Sequence, residues 1–190
     1  MSLAINASHE TMLWPMAWKL PAGVHALCST RLGGVSQPPF DALNLGDHVQ
    51  DDLQAVAANR AIFQAHLGGA SPIFLKQVHG TRVVTLDATS MDGIEADACI
   101  TQNPHLACTI MVADCLPLLL TDDRGQVVAA AHAGWRGLAQ GVIEATVHAV
   151  CAVGQVQPSQ VLAWLGPCIG PEAFEAVSYT HLTLPTNREV

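Results

Sequence analysis

Alternating apolar and polar runs in the middle of the chain predict a β-hairpin. Two apolar runs, at 116–121 and 126–133, flank the turn sequence DDRG at 122–125, a pattern typical of antiparallel strands joined by a short loop. If those four residues form the loop, Thr121 pairs with Gln126, and the same register places Cys115 directly opposite His132. The side chains of Cys115 and His132 then share one face of the hairpin.

Pro117 limits this interpretation. Proline has no N–H to donate to a strand ladder, so it favours an edge strand or a strand that begins just after Cys115. A three-residue loop would also move Cys115 and His132 from a direct pair to a diagonal one.

Two stretches have helical spacing. Residues 51–67 carry an apolar stripe, with Asp51 or Asp52 as N-cap and two glycines at 68–69 as the stop. Arg60 interrupts that stripe, which favours a structural ion pair for its charge over a role in a site. Residues 138–152 repeat apolar positions at helical intervals, and Gly154 ends the second predicted helix.

Short runs with β-forming composition make up most of the remaining chain. These predicted strands lie at 24–28, 73–78, 82–86, 97–101, 107–112 and 161–165. Hairpins and helices alternate without a βαβ repeat, so the pattern predicts an α+β fold in which mixed β-sheets pack with helices.

Composition narrows the class of protein. The chain has 190 residues, of which 50% are hydrophobic and 13% charged, which is typical of one packed globular domain. Its net charge of -8 gives no basic surface for nucleic acid or an anionic membrane.

The N-terminus does not resemble a signal peptide, and no apolar run approaches ~18 residues, so a cytoplasmic protein is expected. Six scattered cysteines without a C-x-x-C pair favour reduced thiols.

Cys115 and His132 are the first candidates for chemistry. Directly opposed Cβ atoms lie ~4.5–5.5 Å apart, which suits a thiolate and an imidazole bound to one zinc ion at ~2.3 Å and ~2.0 Å. His79, beside a turn glycine, is a third candidate. The alternatives are a buried thiol that only packs, a histidine that is hydrogen-bonded or exposed, or a metal-free hydrolase with Cys115 as nucleophile.

A glycine-bracketed loop at 133–137, AGWRG, follows His132 and opens onto the second predicted helix. Arg136 thus lies near a helix N-terminus, where backbone N–H groups and its own charge favour an anion. Arg31 is a further candidate for a substrate anion. A surface arginine paired with a nearby acid is the alternative for Arg31.

Four motifs, in this order, resemble the bacterial YfiH-like family, also called multicopper polyphenol oxidoreductase or purine nucleoside phosphorylase, which includes the mammalian laccase-domain protein. They are KQVHG at 76–80, ADCLP at 113–117, HAGWRG at 132–137 and GPCIG at 166–170. The segments STR at 29–31, GG at 33–34, NLG at 44–46 and NR at 59–60 extend the similarity.

This resemblance implies that His79, Cys115 and His132 together bind one zinc ion, with a fourth position open for water or substrate as in catalytic sites. Arg136, Arg31 and Asn44 are the candidates for phosphate or substrate binding. The resemblance also implies a purine nucleoside enzyme that phosphorolyses adenosine, inosine and methylthioadenosine and deaminates adenosine. Its partners would be small molecules, the nucleoside and phosphate, and the oligomeric state stays open.

Other functions attributed to relatives give the alternatives: a copper-dependent, laccase-like polyphenol oxidase, and a hydrolase that edits peptidoglycan precursors. Laccase chemistry needs several clustered histidines, and none of the nine here forms a His-x-His pair. A non-enzymatic module stabilised by zinc is a further alternative, because ligand motifs indicate a site and not turnover.

The similarity ends near Glu175. We therefore expect a YfiH-like domain at 1–176 that is truncated at its C-terminal side, followed by a foreign tail at 177–190.

Overall fold

The computed structural model describes residues 11–175, which form two compact units. Residues 11–20 and 25–71 belong to the first unit, and residues 21–24 and 72–175 to the second. No helix within the described residues is both long and apolar enough to cross a membrane. The predicted tail at 177–190 lies outside the described residues.

The first unit contains one helix and one small sheet: β1 (Leu13–Trp14), antiparallel to β2 (Cys28–Ser29), and α1 (Leu53–Gln64). The carboxylate of Asp52 accepts the N–H of Gln54 and caps α1, which confirms the predicted N-terminus. The predicted strand at 24–28 is wrong except at its last residue, because Val24 donates its N–H to the carbonyl of Pro21 in a turn.

Buried Asn59 holds the long loop before α1 in place. Its side-chain oxygen accepts the N–H of Val35 at 2.8 Å, and its amide nitrogen donates to the carbonyls of Ala42 and Asn44 at 3.1 and 2.9 Å. Arg60 donates to the carbonyl of Leu45, and it forms an ion pair with an aspartate of the same loop. This pairing confirms the structural role predicted for Arg60.

The second unit is built on a five-stranded sheet in the order β4-β5-β8-β7-β9. The strands are β4 (Val83–Thr85), β5 (Ala98–Thr101), β7 (Leu116–Asp122), β8 (Val128–Ala133) and β9 (Val161–Leu165). β4 and β5 are parallel and the other neighbours antiparallel, so the predicted mixed sheet is confirmed. β3 (Ser71–Phe74) and β6 (Leu106–Thr109) form a separate two-stranded sheet.

Side-chain alternation gives the central sheet two buried faces. Ala98, Ile100, Ala129 and Ala131 point to one face, where they pack with Val142 and Val150 of α3 (Val142–Gly154). Cys99 and Ala130 point to the other face, toward a second cluster that includes residues of β3 and β6. Strands buried on both faces explain the nearly continuous apolar runs in the sequence.

The predicted helix at 138–152 is two helices. α2 (Trp135–Gln140) and α3 are separated by Gly141, whose φ of 94° is left-handed. This conformation is easy only for glycine, and it breaks the helical hydrogen-bond ladder. α2 begins directly after β8, so Arg136 lies in the first turn of a helix, as predicted.

The hairpin forms, but with a longer loop than predicted. Thr121 pairs with Val128 and not with Gln126, because the buried carboxylate of Asp122 accepts the N–H groups of Gln126 and Val127 at 2.7 and 2.9 Å. The register therefore shifts by two residues, and Pro117, not Cys115, lies opposite His132. A shift of two preserves the face of every side chain.

Pro117 lies inside the sheet, since β7 pairs with both β8 and β9. Its carbonyl accepts the N–H of Gly166 at 2.9 Å just beyond the last β7–β9 pair, Leu118 with Leu165. The N–H that proline lacks would point to this same side. The ladder thus ends where Pro117 cannot continue it, and β7 begins just after Cys115.

Candidate metal centre

Three predicted ligands meet at one end of the central sheet. His79 lies in the turn before β4, Cys115 directly precedes β7, and His132 is the penultimate residue of β8. Because β7 and β8 are antiparallel, the start of β7 and the end of β8 lie at the same end of the sheet. β4 also begins at this end of the sheet, so the directions of the strands bring the three segments that carry these residues to the same end.

The ligand atoms of His79, Cys115 and His132 lie within 4.8 Å of one another. The sulfur of Cys115 is 3.8 Å from Nε2 of His79, near the roughly 3.5 Å expected between a thiolate and an imidazole on one tetrahedral zinc ion. The rings of His79 and His132 are 4.7 Å apart and nearly perpendicular, at 78°. Two imidazoles and one thiolate are a donor set that fits a single transition-metal ion.

Asp97 supports this group, although the sequence pattern does not single it out. Its carboxylate is fully buried and lies 2.9 Å from Nδ1 of His132. The same carboxylate accepts backbone N–H groups from Val78, His79 and Gly80 at 3.1, 2.8 and 2.7 Å. The available signal is an aspartate directly before the apolar strand β5, whose register with β8 places it opposite His132.

The pKa of Asp97 follows from these contacts. Burial by itself raises the pKa of a carboxyl group, but the hydrogen bonds from His132 and from the backbone at 78–80 outweigh burial and hold the pKa of Asp97 below its usual value. The group is therefore a carboxylate at neutral pH. As a pure acceptor, it requires His132 to donate from Nδ1.

Without a cation, Cys115 is a protonated thiol. Burial is the largest cause that raises the pKa of Cys115 to about 12, and the negative charges of Asp114 and Asp97 raise it further. A bound cation acts in the opposite direction, because a thiolate, not a thiol, is the metal ligand. Metal binding at this group is thus coupled to the loss of a proton from Cys115.

Gly134, the N-cap of α2, packs directly against the ligands. A Cβ atom at this position would lie 2.6 Å from Cδ2 of His79 and 3.0 Å from the sulfur of Cys115. One helical turn later, a Cβ atom on Gly137 would lie 3.0 Å from the carbonyl oxygen of Gly80. The two glycines let α2 approach the His79 turn closely.

The three predicted substrate residues have different surroundings. The guanidinium carbon of Arg136 lies 4.6 Å from the ring centre of Trp135. Arg136 follows Gly134 by two residues in the sequence. Its guanidinium group has no acidic partner within residues 11–175. Arg31 and Asn44 belong to the first unit. Arg31 forms an ion pair with Asp41 at 3.0 Å, and Asn44 donates to Asp51 at 2.9 Å. Substrate binding by these residues stays a prediction.

Comparison with known proteins identifies the family. The sequence model of the multi-copper polyphenol oxidoreductase laccase family matches residues 25–182. The chain belongs to this family. The match includes all three ligands of the candidate metal centre and thus agrees with the resemblance seen in the motifs.

Curated relatives of this chain have names that describe a different activity. A Pseudomonas aeruginosa protein named purine nucleoside phosphorylase is 53% identical over 158 residues, which are 83% of this chain and 62% of that protein. Purine nucleoside phosphorylase YfiH of Escherichia coli is 48% identical, over 83% of this chain and 64% of that protein. The chain thus spans less than two thirds of the length of these relatives.

Solved structures agree with the fold of this laccase-family chain. A crystal structure from Neisseria meningitidis matches with a TM-score of 0.80 and 43% identity, over 86% of this chain and 66% of that one. YlmD of Geobacillus stearothermophilus matches with a TM-score of 0.75 and 27% identity, over 86% of this chain and 67% of that one.

The packing of Gly134 predicts that Gly134→Ala weakens metal binding. The backbone there, at φ −68° and ψ 159°, suits alanine, so the substitution adds only a methyl group that displaces His79 and Cys115. We expect the zinc dissociation constant to rise by roughly tenfold or more, measured by competition with a chromophoric chelator. Gly170→Ala is the matched control, because its Cβ atom would meet nothing within 4 Å. Equal zinc affinity in both variants would contradict this packing.

The raised pKa of Cys115 predicts proton release on metal binding. The free thiol, with a pKa of about 12, is protonated at pH 7.5–9 and must ionise to bind, so apparent zinc affinity should rise by about tenfold per pH unit in this range. Calorimetric titration in buffers of different ionisation enthalpy should show about one proton released per zinc ion. Cys115→Ser should lower this number, and wild-type binding without proton release would refute the assignment of Cys115 as ligand.

Proposed function

We propose that this chain carries the metal site of a zinc-dependent purine nucleoside enzyme that phosphorolyses adenosine and inosine, with adenosine deamination as a second activity. The observation that carries the proposal is the three-ligand group of His79, Cys115 and His132, which leaves one coordination position for a reactant. The names of the relatives support a purine nucleoside as substrate.

The donor set favours one ion over a multicopper centre. Within residues 11–175, a single group of three or more histidine, cysteine or acidic side chains has metal-ligand spacing. A laccase-like oxidation needs several redox-active coppers, whereas a thiolate with two imidazoles suits one zinc or one copper ion. When bound at an open three-ligand site, zinc supplies Lewis-acid polarisation and lowers the pKa of water.

Arg136 is the residue that we propose to bind phosphate. Its guanidinium is held against Trp135 and lies two residues from Gly134, which touches His79 and Cys115. A guanidinium binds phosphate oxygens through paired N–H donors. In the first unit, Arg31 and Asn44 are the further substrate residues that we propose, although the structure gives both of them partners within their own loop.

The two reactions make different demands on these residues. In phosphorolysis, a phosphate oxygen attacks C1′ of the ribose, the glycosidic bond to the base breaks, and the base takes up a proton, giving ribose 1-phosphate and free base. Arg136 orients the phosphate in this reaction. In deamination, water adds at C6 of adenine and ammonia leaves, giving inosine. Only the first reaction consumes phosphate.

We expect zinc-loaded protein to convert inosine to hypoxanthine and ribose 1-phosphate only when phosphate is present, and adenosine to inosine without it. Chromatography of the nucleosides and bases measures both reactions, and Cys115→Ala should abolish both. A full-length relative assayed in parallel shows whether the residues beyond this chain are needed. Phosphate-independent release of base would indicate a hydrolase. Activity only toward phenols, requiring copper and retained in Cys115→Ala, would refute the proposal.

For Arg136→Ala, we expect the KM for phosphate to rise by roughly tenfold or more, because a charge-assisted hydrogen bond to the substrate is lost. Zinc content should not change, since Arg136 is not a ligand. Arg124→Ala is the matched control, because it removes the same charge at the turn on the opposite end of β7 from Cys115. If both variants keep the wild-type KM, Arg136 does not bind phosphate.

A further inference from the structure

The carboxylate of Asp97 joins two of the three candidate ligands. Oδ1 accepts hydrogen bonds from the N–H of His79 and from Nδ1 of His132, at 2.8 and 2.9 Å. Oδ2 accepts the N–H groups of Gly80 and Val78, at 2.7 and 3.1 Å. Each oxygen thus has two donors, and the group is fully buried.

The hydrogen bond from His132 to Asp97 determines which ring nitrogen of His132 carries the proton. Since a carboxylate only accepts hydrogen bonds, Nδ1 of His132 carries the proton, and Nε2 keeps the lone pair that a metal needs. The backbone supports the same pairing, because the N–H of His132 donates to the carbonyl of Asp97 at 2.7 Å. Asp97 and His132 are therefore fixed to each other through both main chain and side chain.

For His79, the contact acts on the backbone. His79 has a φ of 61°, a left-handed conformation that is sterically unfavourable for a non-glycine residue. That conformation turns three successive N–H groups, from Val78 to Gly80, toward one point, which is the geometry of a backbone anion nest. The carboxylate of Asp97 occupies the nest and stabilises the turn that presents His79.

Cys115 is held differently. The side chain of Gln77 forms two hydrogen bonds with the backbone of Met111, at 2.7 and 2.8 Å, and so ties the His79 turn to the segment that leads into Cys115. None of the hydrogen bonds of Asp97 involves Cys115 or this segment. A change at Asp97 should therefore disturb the two histidines more than the thiolate.

We propose that Asp97 is the positioning residue of this metal centre, the single side chain that fixes the ring nitrogen of His132 and the backbone of His79 in one geometry. The proposal rests on the proposed metal-binding function, and it assigns a role to a residue outside the ligand set. Asp97 acts through the two histidines and does not touch the ion.

The substitution Asp97→Asn tests this role because asparagine keeps the size of aspartate but has one acceptor and one donor group. The introduced amide oxygen can accept from Nδ1 of His132, but the NH₂ group then faces the N–H groups of the nest. In the opposite orientation the amide oxygen accepts from the nest and the NH₂ group donates to Nδ1, which moves the ring proton of His132 to Nε2. Either orientation loses one of the two functions, so Asp97→Asn should raise the zinc dissociation constant by roughly 10- to 100-fold.

Asp122→Asn is the matched control. Asp122 is also fully buried and also accepts backbone N–H groups, but at the hairpin loop on the end of β7 opposite Cys115. We expect Asp122→Asn to lower stability while leaving zinc affinity within about twofold of wild type. Asp97→Glu retains the charge and both acceptor oxygens, and we expect a smaller loss of affinity than in Asp97→Asn. Equal zinc affinity in wild type and Asp97→Asn would overturn the proposal.

Two measurements on the metal-free protein test the role of Asp97 without an assay of enzyme activity. ¹⁵N NMR of the wild-type imidazoles should show His132 protonated at Nδ1, and hydrogen exchange should show the amides at 78–80 protected. At least one of these two features should change in Asp97→Asn, and both should persist in Asp122→Asn. Protonation of His132 at Nε2 in the wild type would overturn the proposal even if no variant at position 97 folds.

Spectra of the cobalt-substituted protein distinguish a change at the two histidines from a change at Cys115. In cobalt-loaded Asp97→Asn, the d–d bands should shift while the thiolate-to-cobalt charge-transfer band from Cys115 remains. Loss of that band together with unchanged d–d bands would contradict the selective role of Asp97. If the wild type binds no zinc but shows the expected His132 tautomer, the proposed metal function fails and the positioning geometry stands. If zinc binds equally well without Asp97, the proposed metal function stands and the positioning role of Asp97 fails.

Discussion

The site depends on one buried charge, the carboxylate of Asp97. An ionised carboxylate that loses its water costs several kcal/mol unless it is paired and hydrogen-bonded. Here four donors replace that water, three from the turn at 78–80 and one from His132. The same four hydrogen bonds also support the left-handed turn at His79 and the orientation of the His132 ring. Two segments far apart in the sequence are thereby held by a single group.

Small residues make the remaining geometry possible. β8 carries four alanines, of which Ala130 and Ala131 are completely buried, so the strand fits between α3 on one face and the second hydrophobic cluster on the other. At the end of the same strand, Gly134 brings α2 against His79 and Cys115 without a side chain between them. Cys115 and His132 thus lie at the ends of packed strands, and rigid elements hold a metal geometry more closely than free loops do.

The family name and the names of the relatives describe different chemistry, and our proposal follows the names of the relatives. A multicopper oxidase moves electrons between several ions, so it needs several ligand groups. The described part of this chain gathers one such group, with an arginine nearby whose guanidinium has no acidic partner there. One open metal position beside a candidate anion site suits a group-transfer reaction better than electron transfer, which is why we favour the nucleoside function.

Local signals in the sequence determined much of the fold. Asp52 caps α1, β9 spans its predicted range, and the hairpin of β7 and β8 forms where the apolar runs predict it. The predicted register was wrong because the side chain of Asp122 enlarges the loop. Nevertheless, the prediction that Cys115 and His132 share one face is correct, since a shift of two residues keeps every side chain on its face. His79 was predicted as the third ligand only from the family resemblance. The position of Asp97 opposite His132 follows only from the pairing of β5 with β8. Spacing along the chain determines which face a side chain takes, but contacts between distant strands form only when the whole sheet assembles.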